Sequence, residues 1–424
     1  MLEELYQTYL ACSGVSTDTR AIERGNIYFA LKGPSFNGNL FASQAIEAGA
    51  IAVVVDEDVE VPESALIFQT IDVLSTLQDL ARHHRTQCSN TTFIGLTGSN
   101  GKTTAKELMK SVLSTSFRTH ATFGNLNNHI GVPLTLLRMP LDTEVAIIEM
   151  GANHRGEIEL LSGISLPNYG YITNFGKAHL EGFGGIEGVI KGKSELYARM
   201  KEINGTCIVN GMDELQLVQS SECNRIVYGS KQSEYPMEYS EVNYPAQVRF
   251  NGNDYRSQLT GSFHTANIGA AIAIGKILGV SEANIALGIH SYAPENNRSQ
   301  WTKTSTNRVM LDAYNANPSS MLASLKSFID EAATPRIVII GDMFELGEAS
   351  AEEHQLIVDY LKQKEGTNAI LVGEHFSATD HESMLSFTTT ERCENYLKEN
   401  PITNSSILLK GSRGMYLETL YPYL

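Results

Sequence analysis

The segment of residues 97–104, which reads TGSNGKTT, limits the possible folds of this chain more than any other segment. It follows an apolar run of buried-strand type at 92–97 and precedes the helical pattern KTTAKELMKSVLSTS. Glycines let backbone N–H groups wrap a phosphate, and the helix N-terminus favours the bound anion. In such a loop Lys102 reaches the β/γ oxygens and the Thr103 hydroxyl ligates magnesium. Leu96 breaks the strict GxxxxGK[ST] pattern and a glycine turn that caps a helix is the alternative, but the strand–turn–helix setting predicts a nucleotide loop.

Strand-like runs alternate with helical patterns along the whole chain, which predicts α/β units with largely parallel sheets covered on both faces. Shorter alternating runs at 225–260 favour antiparallel strands at an edge. Polar segments at 86–92 and at 294–301 (PENNRSQW) are the candidate boundaries. We therefore expect three domains, at residues 1–87, 88–296 and 297–424.

Composition excludes several classes of function. Hydrophobic residues make up 42% of the 424, enough to bury sizeable cores. The formal net charge of -16 would repel nucleic-acid backbones, so no nucleic-acid partner is expected. Apolar runs are all far shorter than the roughly 18 residues of a membrane span, and the acidic start MLEELYQTYL lacks a basic leader. We expect a cytoplasmic protein without membrane insertion.

Three further residues are candidates for metal chemistry. Glu149 ends the strand-like run VAIIEM, and a carboxylate at the carboxyl end of a parallel strand beside a phosphate loop is well placed for Mg²⁺. His179 lies in the glycine-rich TNFGKAHLEGFGG, and Lys193 lies in the helical IKGKSELYARM. Taken singly, they also fit a strand end, a surface histidine and a solvated helix lysine.

Together these segments resemble a known family. TGSNGKTT, EMGANHRGEI, ITNFGKAHLEGFG and KGKSELY, in this order, are similar to the Mur ligases, the ATP-dependent amide-forming enzymes of peptidoglycan precursor assembly. The resemblance extends over residues 14–420. It implies a central P-loop parallel-sheet ATPase domain, flanked by an N-terminal UDP-binding α/β domain and a C-terminal Rossmann-like α/β domain.

The resemblance also implies cofactors. Two Mg²⁺ ions would be held by Thr103, Glu149, His179 and Lys193, the last carrying a carbamate derived from CO₂. A carbamate oxygen is a hard anionic ligand, which an ammonium group is not. Lys191 is the alternative site, on another face of the same helix. Lys102, Glu149, His179 and Lys193 are the expected catalytic residues.

Two sets of binding residues follow from the same resemblance. The ATP-binding set is Gly98, Ser99, Asn100, Gly101, Lys102, Thr103, Thr104, Asn267, Arg298 and Asp312. The substrate-binding set is Asp18, Arg20, Lys32, Asn127, Asn128, Asn315, Asn317, Lys410, Ser412 and Arg413. Arg298 follows two asparagines where relatives often have glycine, and STDTR around Asp18 also fits a structural turn.

The motif DAYNANPSSM at 312–321 looks like the signature of the family member that adds D-alanyl-D-alanine. It implies UDP-MurNAc-tripeptide and D-Ala-D-Ala as substrates, an acyl-phosphate intermediate and, by our expectation, a monomer. The alternatives are a sibling ligase that adds the third amino acid and a folylpolyglutamate synthase-like ligase. Two further interpretations belong to other functional classes: a nucleotide-dependent sensor and an ordinary kinase. We also expect the third domain to close about a hinge near 294–298.

Overall fold

The computed structural model describes residues 1–63, 65–241, 244–294 and 298–424, so most of the expected hinge lies outside the described residues. The described chain forms three consecutive α/β units, each built on its own sheet. Within the described ranges, no helix is both long and apolar enough to cross a membrane.

The N-terminal unit is a small parallel sheet. Its elements are α1 (Leu2–Ala11), β1 (Gly14–Ser16), β2 (Asn26–Phe29), β3 (Lys32–Gly33), β4 (Phe36–Asn37), α2 (Ala42–Glu47), β5 (Ala52–Val55), β6 (Leu66–Gln69) and α3 (Val73–Gln87). Four strands pair in parallel in the order β1-β2-β5-β6, and β3 and β4 form a short antiparallel hairpin. The apolar strand β5 is buried throughout, as expected for a parallel strand covered on both faces.

The central unit is built on a seven-stranded sheet whose pairs are all parallel. Its elements are β7 (Thr92–Thr97), α4 (Lys102–Leu113), β8 (Thr119–Ala121), α5 (Gly131–Leu137), β9 (Val145–Glu149), α6 (Glu157–Ser165), β10 (Tyr169–Ile172), α7 (Leu180–Phe183), α8 (Ile186–Glu202), β11 (Thr206–Asn210), α9 (Glu214–Gln219), β12 (Asn224–Gly229), β13 (Tyr235–Pro236), β14 (Glu238–Tyr239), β15 (Gln247–Phe250), β16 (Asn253–Arg256), α10 (Thr265–Ile277) and α11 (Glu282–Ser291). The strand order is β13-β12-β11-β10-β7-β9-β8. The chain changes direction across the sheet at β7, and ligands bind outside the carboxyl ends of strands at such a point.

The expectation of antiparallel strands at 225–260 is half right. Strands β14, β15 and β16 form a separate antiparallel sheet, but β12 pairs in parallel with β11 in the main sheet. The reason lies in the connections. Helix α9 precedes β12 and supplies the crossover that a parallel neighbour needs, whereas Asn251 and Gly252, both at positive φ, turn the chain tightly between β15 and β16.

The C-terminal unit has a six-stranded sheet. Its elements are β17 (Gln300–Lys303), β18 (Arg308–Leu311), α12 (Pro318–Glu331), β19 (Arg336–Gly341), α13 (Ser350–Lys362), β20 (Thr367–Val372), α14 (Glu374–Ser377), β21 (Leu385–Phe387), α15 (Thr390–Glu399) and β22 (Ser406–Lys410). The order is β17-β18-β22-β19-β20-β21, parallel except for the pair β17–β18. The short strands β17 and β21 form the two edges of this sheet.

The N-terminal and central units share one hydrophobic core. Helix α3 packs against both α5 and α6, and Leu77 and Leu80 belong to the same buried cluster as Leu136 and Leu161. Asp72 starts α3 by accepting a hydrogen bond from the backbone of Ser75 at 2.6 Å. The polar segment at 86–92 is therefore a short connection between packed units and not an extended linker.

Candidate active site

A cavity of about 810 Å³ lies at the carboxyl ends of β7, β9 and β10, between the central and C-terminal units. It coincides with the change of direction in the central sheet. Many of the residues singled out in the sequence line it, namely Ser99, Asn100, Gly101, Lys102, Thr103, Thr104, Asn127, Asn128, Glu149, His179, Asn267, Arg298, Asp312, Asn315, Asn317 and Lys410.

The loop between β7 and α4 depends on two glycines. Gly98 and Gly101 have φ values of +141° and +77°. A Cβ on Gly98 would lie 1.9 Å from Thr173 Oγ1, and one on Gly101 would lie 2.8 Å from Asn267 Nδ2. Helix α4 begins at Lys102, and among the described residues no side chain caps its first turn. The helix thus presents its N-terminus to the cavity, which is the arrangement that binds phosphate.

Residues at the end of β10 support this loop, although the sequence did not single them out. Thr173 Oγ1 and Asn174 Nδ2 donate to the carbonyl of Asn100 at 2.6 and 3.0 Å. Ser99 Oγ donates to the carbonyl of Gly176 at 2.7 Å. Their position directly after an apolar strand run, beside the strand of the phosphate loop, is the signal that would have found them.

Lys102 folds over the loop. Its Nζ donates to the carbonyls of Gly98 at 2.7 Å and Ser99 at 3.2 Å. Burial lowers the pKa of Lys102, while the carboxylate of Glu149 acts in the opposite direction. The ammonium group therefore lies at the loop. The oxygens of a bound phosphate would replace these two carbonyls as its hydrogen-bond acceptors.

Glu149 carries a carboxylate oxygen suited to a cation. Its Oε1 accepts hydrogen bonds from Asn127 Nδ2 at 2.8 Å and from Thr103 Oγ1 at 3.3 Å. Its Oε2 is buried and has no hydrogen-bond partner among the described residues. Mg²⁺ is usually bound by one or two carboxylates together with phosphate oxygens and water. Thr103 and Glu149 therefore fit a magnesium ion that is shared with a nucleotide.

Lys106 is a neighbour of Glu149 that sequence reasoning missed. This lysine is completely buried, and its Nζ lies 3.8 Å from Glu149 Oε2. The same nitrogen donates to the carbonyl of Thr122 at 2.6 Å and pairs with Glu107 at 2.9 Å. Lys106 follows Lys102 by four residues, which places both on the same side of α4. That spacing is the signal in the sequence.

His179 and Lys193 do not join Glu149 in one ligand cluster. His179 Nδ1 pairs with Glu345 of the C-terminal unit. Lys193 is fully buried, and its Nζ donates to the carbonyl of Ala152 at 2.9 Å. In the described ranges, no group of three or more His, Cys, Asp and Glu side chains is arranged to hold a metal.

The two candidate lysines differ sharply in environment. Burial lowers the pKa of Lys193 well below its usual value, and the charge of nearby Lys102 lowers it further. Lys191 is exposed to solvent. Burial therefore favours the uncharged, nucleophilic form of the Lys193 amine.

Residues from the start of α10 form another wall of the cavity. Asn267 contacts the loop at Gly101, and the buried ring of His264 has no hydrogen-bond partner for either nitrogen among the described residues. Burial lowers the pKa of His264 to about 4, so this ring is neutral at pH 7. A flat, neutral imidazole beside an amide is suited to contact a nucleobase.

The C-terminal wall is organised around Asp312. Its carboxylate accepts hydrogen bonds from the backbone N–H of Ser299 at 3.0 Å, Ser324 Oγ at 2.5 Å and Lys410 Nζ at 2.6 Å. The guanidinium of Arg298 stacks 3.6 Å from the ring centroid of Tyr314.

Two asparagines of the DAYNANPSSM motif at 312–321 also reach the cavity. Asn315 lines it beside Lys410, whose Nζ donates to the Asn315 carbonyl at 3.3 Å. Asn317 caps α12 and donates from Nδ2 to Oδ1 of Asn100 at 2.7 Å. The DAYNANP segment thus touches the phosphate loop directly.

Five of the expected substrate residues lie outside this cavity. Asp18 and Arg20 pair with each other at 2.7 Å, and that contact lowers the pKa of Asp18 to about 2. Lys32 pairs with Asp56 at 3.1 Å. Ser412 Oγ accepts the backbone N–H of Phe344 at 2.9 Å, and Arg413 is exposed. Their contact with substrate stays a prediction.

Comparison with known proteins agrees with this geometry. Family models match residues 12–85 (Mur ligase family, catalytic domain), 96–275 (Mur ligase middle domain) and 297–400 (Mur ligase, glutamate ligase domain). A UDP-N-acetylmuramoyl-tripeptide–D-alanyl-D-alanine ligase of Bacillus subtilis is 35% identical over 423 residues, covering 96% of this chain and 92% of that protein. The chain belongs to the Mur ligase family.

Solved structures extend the likeness to the whole fold. A crystal structure of MurF from Acinetobacter baumannii has a TM-score of 0.88 at 29% identity and covers 98% of this chain and 97% of that one. MurF ligase from Thermotoga maritima in complex with ADP has a TM-score of 0.85 at 23% identity, with coverage of 98% and 97%. The three-domain α/β architecture expected from the sequence is thereby confirmed.

Proposed function

We propose that this chain joins D-alanyl-D-alanine to UDP-N-acetylmuramoyl-tripeptide in an ATP-dependent reaction, as a cytoplasmic monomer. The observation that carries the proposal is the contact between Asn100 and Asn317 inside one cavity. It puts the nucleotide loop against the DAYNANP segment, whose sequence resembles the D-alanyl-D-alanine-adding enzymes. The Bacillus subtilis relative that bears this activity in its name supports the same choice.

The reaction has two steps. The terminal carboxylate of the peptide attacks the γ-phosphorus of ATP, the bond to the β-phosphate oxygen breaks, and ADP leaves with its electron pair. The amine of D-Ala-D-Ala then attacks the acyl phosphate carbonyl, phosphate departs, and the amine loses one proton to form the amide. Both steps move negative charge among oxygens. A fixed cation at the phosphate therefore stabilises the transition state of each step.

Residues of this chain supply that charge and the alignment. Lys102 would neutralise charge on the transferred phosphoryl group, and the N-terminus of α4 would bind the phosphates. Thr103 and Glu149 would hold a magnesium ion, which when bound supplies further charge neutralisation. The remaining acceleration comes from holding ATP, the acyl substrate and the amine in line, since these are delivered by different units.

A second ion at His179 and a carbamate on Lys193 belong to this proposal. Burial, which favours the uncharged form of the Lys193 amine, supports the modification, because CO₂ reacts with the free amine. Lys191 is exposed and is not buried in this way. We expect ¹³C-bicarbonate to give one carbamate carbonyl signal in NMR spectra of the protein, lost in Lys193→Ala and retained in Lys191→Ala. A signal that survives Lys193→Ala would contradict the assignment.

The main test is phosphate release with purified protein, leaving out ATP, UDP-MurNAc-tripeptide or D-Ala-D-Ala in turn and recording the product mass. We expect release only with all three, and a product heavier by the dipeptide. Release with a single amino acid in place of the dipeptide would instead indicate the sibling ligase. Tight ATP binding without turnover would indicate a sensor and overturn the proposal.

A further inference from the structure

The segment of residues 176–181, which follows β10, contacts the C-terminal unit at several points. The backbone N–H of Lys177 donates to Ser319 Oγ, in the first turn of α12, at 2.9 Å. The backbone N–H of Glu181 donates to the carbonyl of Glu345 at 3.1 Å. We call this segment the docking segment.

The docking segment also carries an ion pair between units. Lys177 Nζ pairs with the carboxylate of Glu353 on α13. The Lys177 side chain is 45% exposed, but that of Glu353 is only 9% exposed. Removal of the lysine would leave a largely buried carboxylate without its charge partner, which costs far more than the loss of a surface pair. This pair is therefore different from the exposed ion pairs of the molecule.

Apolar packing accompanies these polar contacts. Leu180 and Phe183, at the two ends of helix α7, which begins within the docking segment, lie in the same buried cluster as Met343 and Leu346 of the C-terminal unit. The contact between the two units consequently has a hydrophobic part that gives adhesion and a charged part that fixes orientation. An ion pair resists sliding more than apolar packing does, because hydrophobic contact is not directional.

The same segment is tied to the phosphate loop. Ser99 Oγ donates to the carbonyl of Gly176, the residue immediately before Lys177. Gly176 also lies close to Ser319, because a Cβ on this glycine would be 3.2 Å from the serine hydroxyl. One residue of the docking segment thus contacts the loop, and the next contacts α12.

We propose that Lys177 is a positioning residue for the ligation. Through its ion pair with Glu353 it fixes the C-terminal unit, and with it the DAYNANP segment, relative to the phosphate loop. The inference rests on the proposed function for its kinetic consequence, although the pairing itself does not. A displacement of about 1 Å at a reacting centre can lower the rate about 100-fold.

The test compares Lys177→Met with the charge swap Lys177→Glu/Glu353→Lys. The matched control is Lys201→Met, which breaks the exposed Lys201–Glu222 pair within the central unit. We expect Lys177→Met to lower kcat about tenfold and to raise the KM for D-Ala-D-Ala about tenfold. The KM for UDP-MurNAc-tripeptide should change little, because its expected nucleotide contacts Asp18, Arg20 and Lys32 lie in the N-terminal unit. The swap should recover a large part of both losses. A merely structural lysine would change all Michaelis constants together.

A second readout does not depend on the reaction. Small-angle scattering with a non-hydrolysable ATP analogue should give a larger radius of gyration for Lys177→Met than for wild type and Lys201→Met. If wild type catalyses no ligation but the scattering difference is present, the proposed function fails and the pairing stands. If Lys177→Met matches Lys201→Met in scattering and kinetics, or the folded swap is no better than the single variant, the inference is overturned.

Discussion

The central unit and the N-terminal unit treat their expected binding residues in opposite ways. In the central unit, Lys102 and Thr103 come from one segment and Glu149 from another, and they meet at one edge of the sheet. In the N-terminal unit, Asp18 and Arg20 satisfy each other at the surface. The difference lies in the backbone. Adjacent parallel strands force their carboxyl ends together, whereas a turn leaves its charged side chains free to pair locally.

Substitution of Lys102 should produce the largest effect on activity. We expect Lys102→Ala to lower kcat by about 10²- to 10³-fold, as for the loss of one donor to a developing anion. Phosphate release under saturating substrates is the measurement. Lys110→Ala, an exposed lysine of the same helix, is the control and should keep wild-type activity. Equal activity of both variants would remove Lys102 from the mechanism.

The buried Lys106 is expected to stabilise the fold around Glu149. Lys106→Met should lower the free energy of unfolding by about 3 kcal/mol, because Glu149 loses its buried positive neighbour. Denaturant titration measures the effect, with Lys110→Met as the matched control. If the two variants unfold at the same denaturant concentration, the buried lysine contributes nothing to stability.

His264 should make stability depend on pH. Its pKa is about 4 in the folded chain and about 6.5 when unfolded, so the unfolded chain binds the extra proton between these values. Stability contributed by the neutral ring is complete above about pH 6.5 and falls by about 3 kcal/mol as the pH drops to 4. His264→Phe should flatten this acid-side slope, whereas the exposed His290→Phe should not. Parallel slopes for wild type and His264→Phe would refute the assignment.

Substitution of Arg20, in the N-terminal unit, should have the smallest effect on activity. If Arg20 leaves Asp18 to bind the uridine nucleotide, Arg20→Ala should raise the KM for UDP-MurNAc-tripeptide about tenfold, typical of one charge-assisted hydrogen bond. Arg24→Ala, an exposed neighbour, should leave that KM unchanged. An unchanged KM in both variants would mean that the Asp18–Arg20 pair only stabilises its turn.

The sequence predicted those parts of the site that depend on strand ends and local pattern. The loop at 97–104 and the strand before Glu149 have periodicities and glycines that determine the local structure. Family resemblance added residues such as Asn267 and Arg298, which line the cavity but carry no chemical signature of their own.

Long-range contacts could not be predicted in this way. The burial of Lys106 and the pairing of His179 with Glu345 depend on which elements pack together, and a lysine or histidine has the same letter whether exposed or buried. The parallel pairing of β12 was missed because short alternating runs look alike in both kinds of sheet. Positions of Ser412 and Arg413 outside the cavity depend likewise on the turn after β22.

Leu180 and Phe183 belong to the central unit by sequence and to the cluster of the C-terminal unit by packing. Separation of the two units would expose the part of both side chains that packs on the C-terminal unit, at a cost of at most about 1.5–3 kcal/mol each. This penalty favours contact between the central and C-terminal units whether or not a nucleotide is bound. Any ligand that binds only to the separated arrangement must therefore supply at least this free energy from its own contacts.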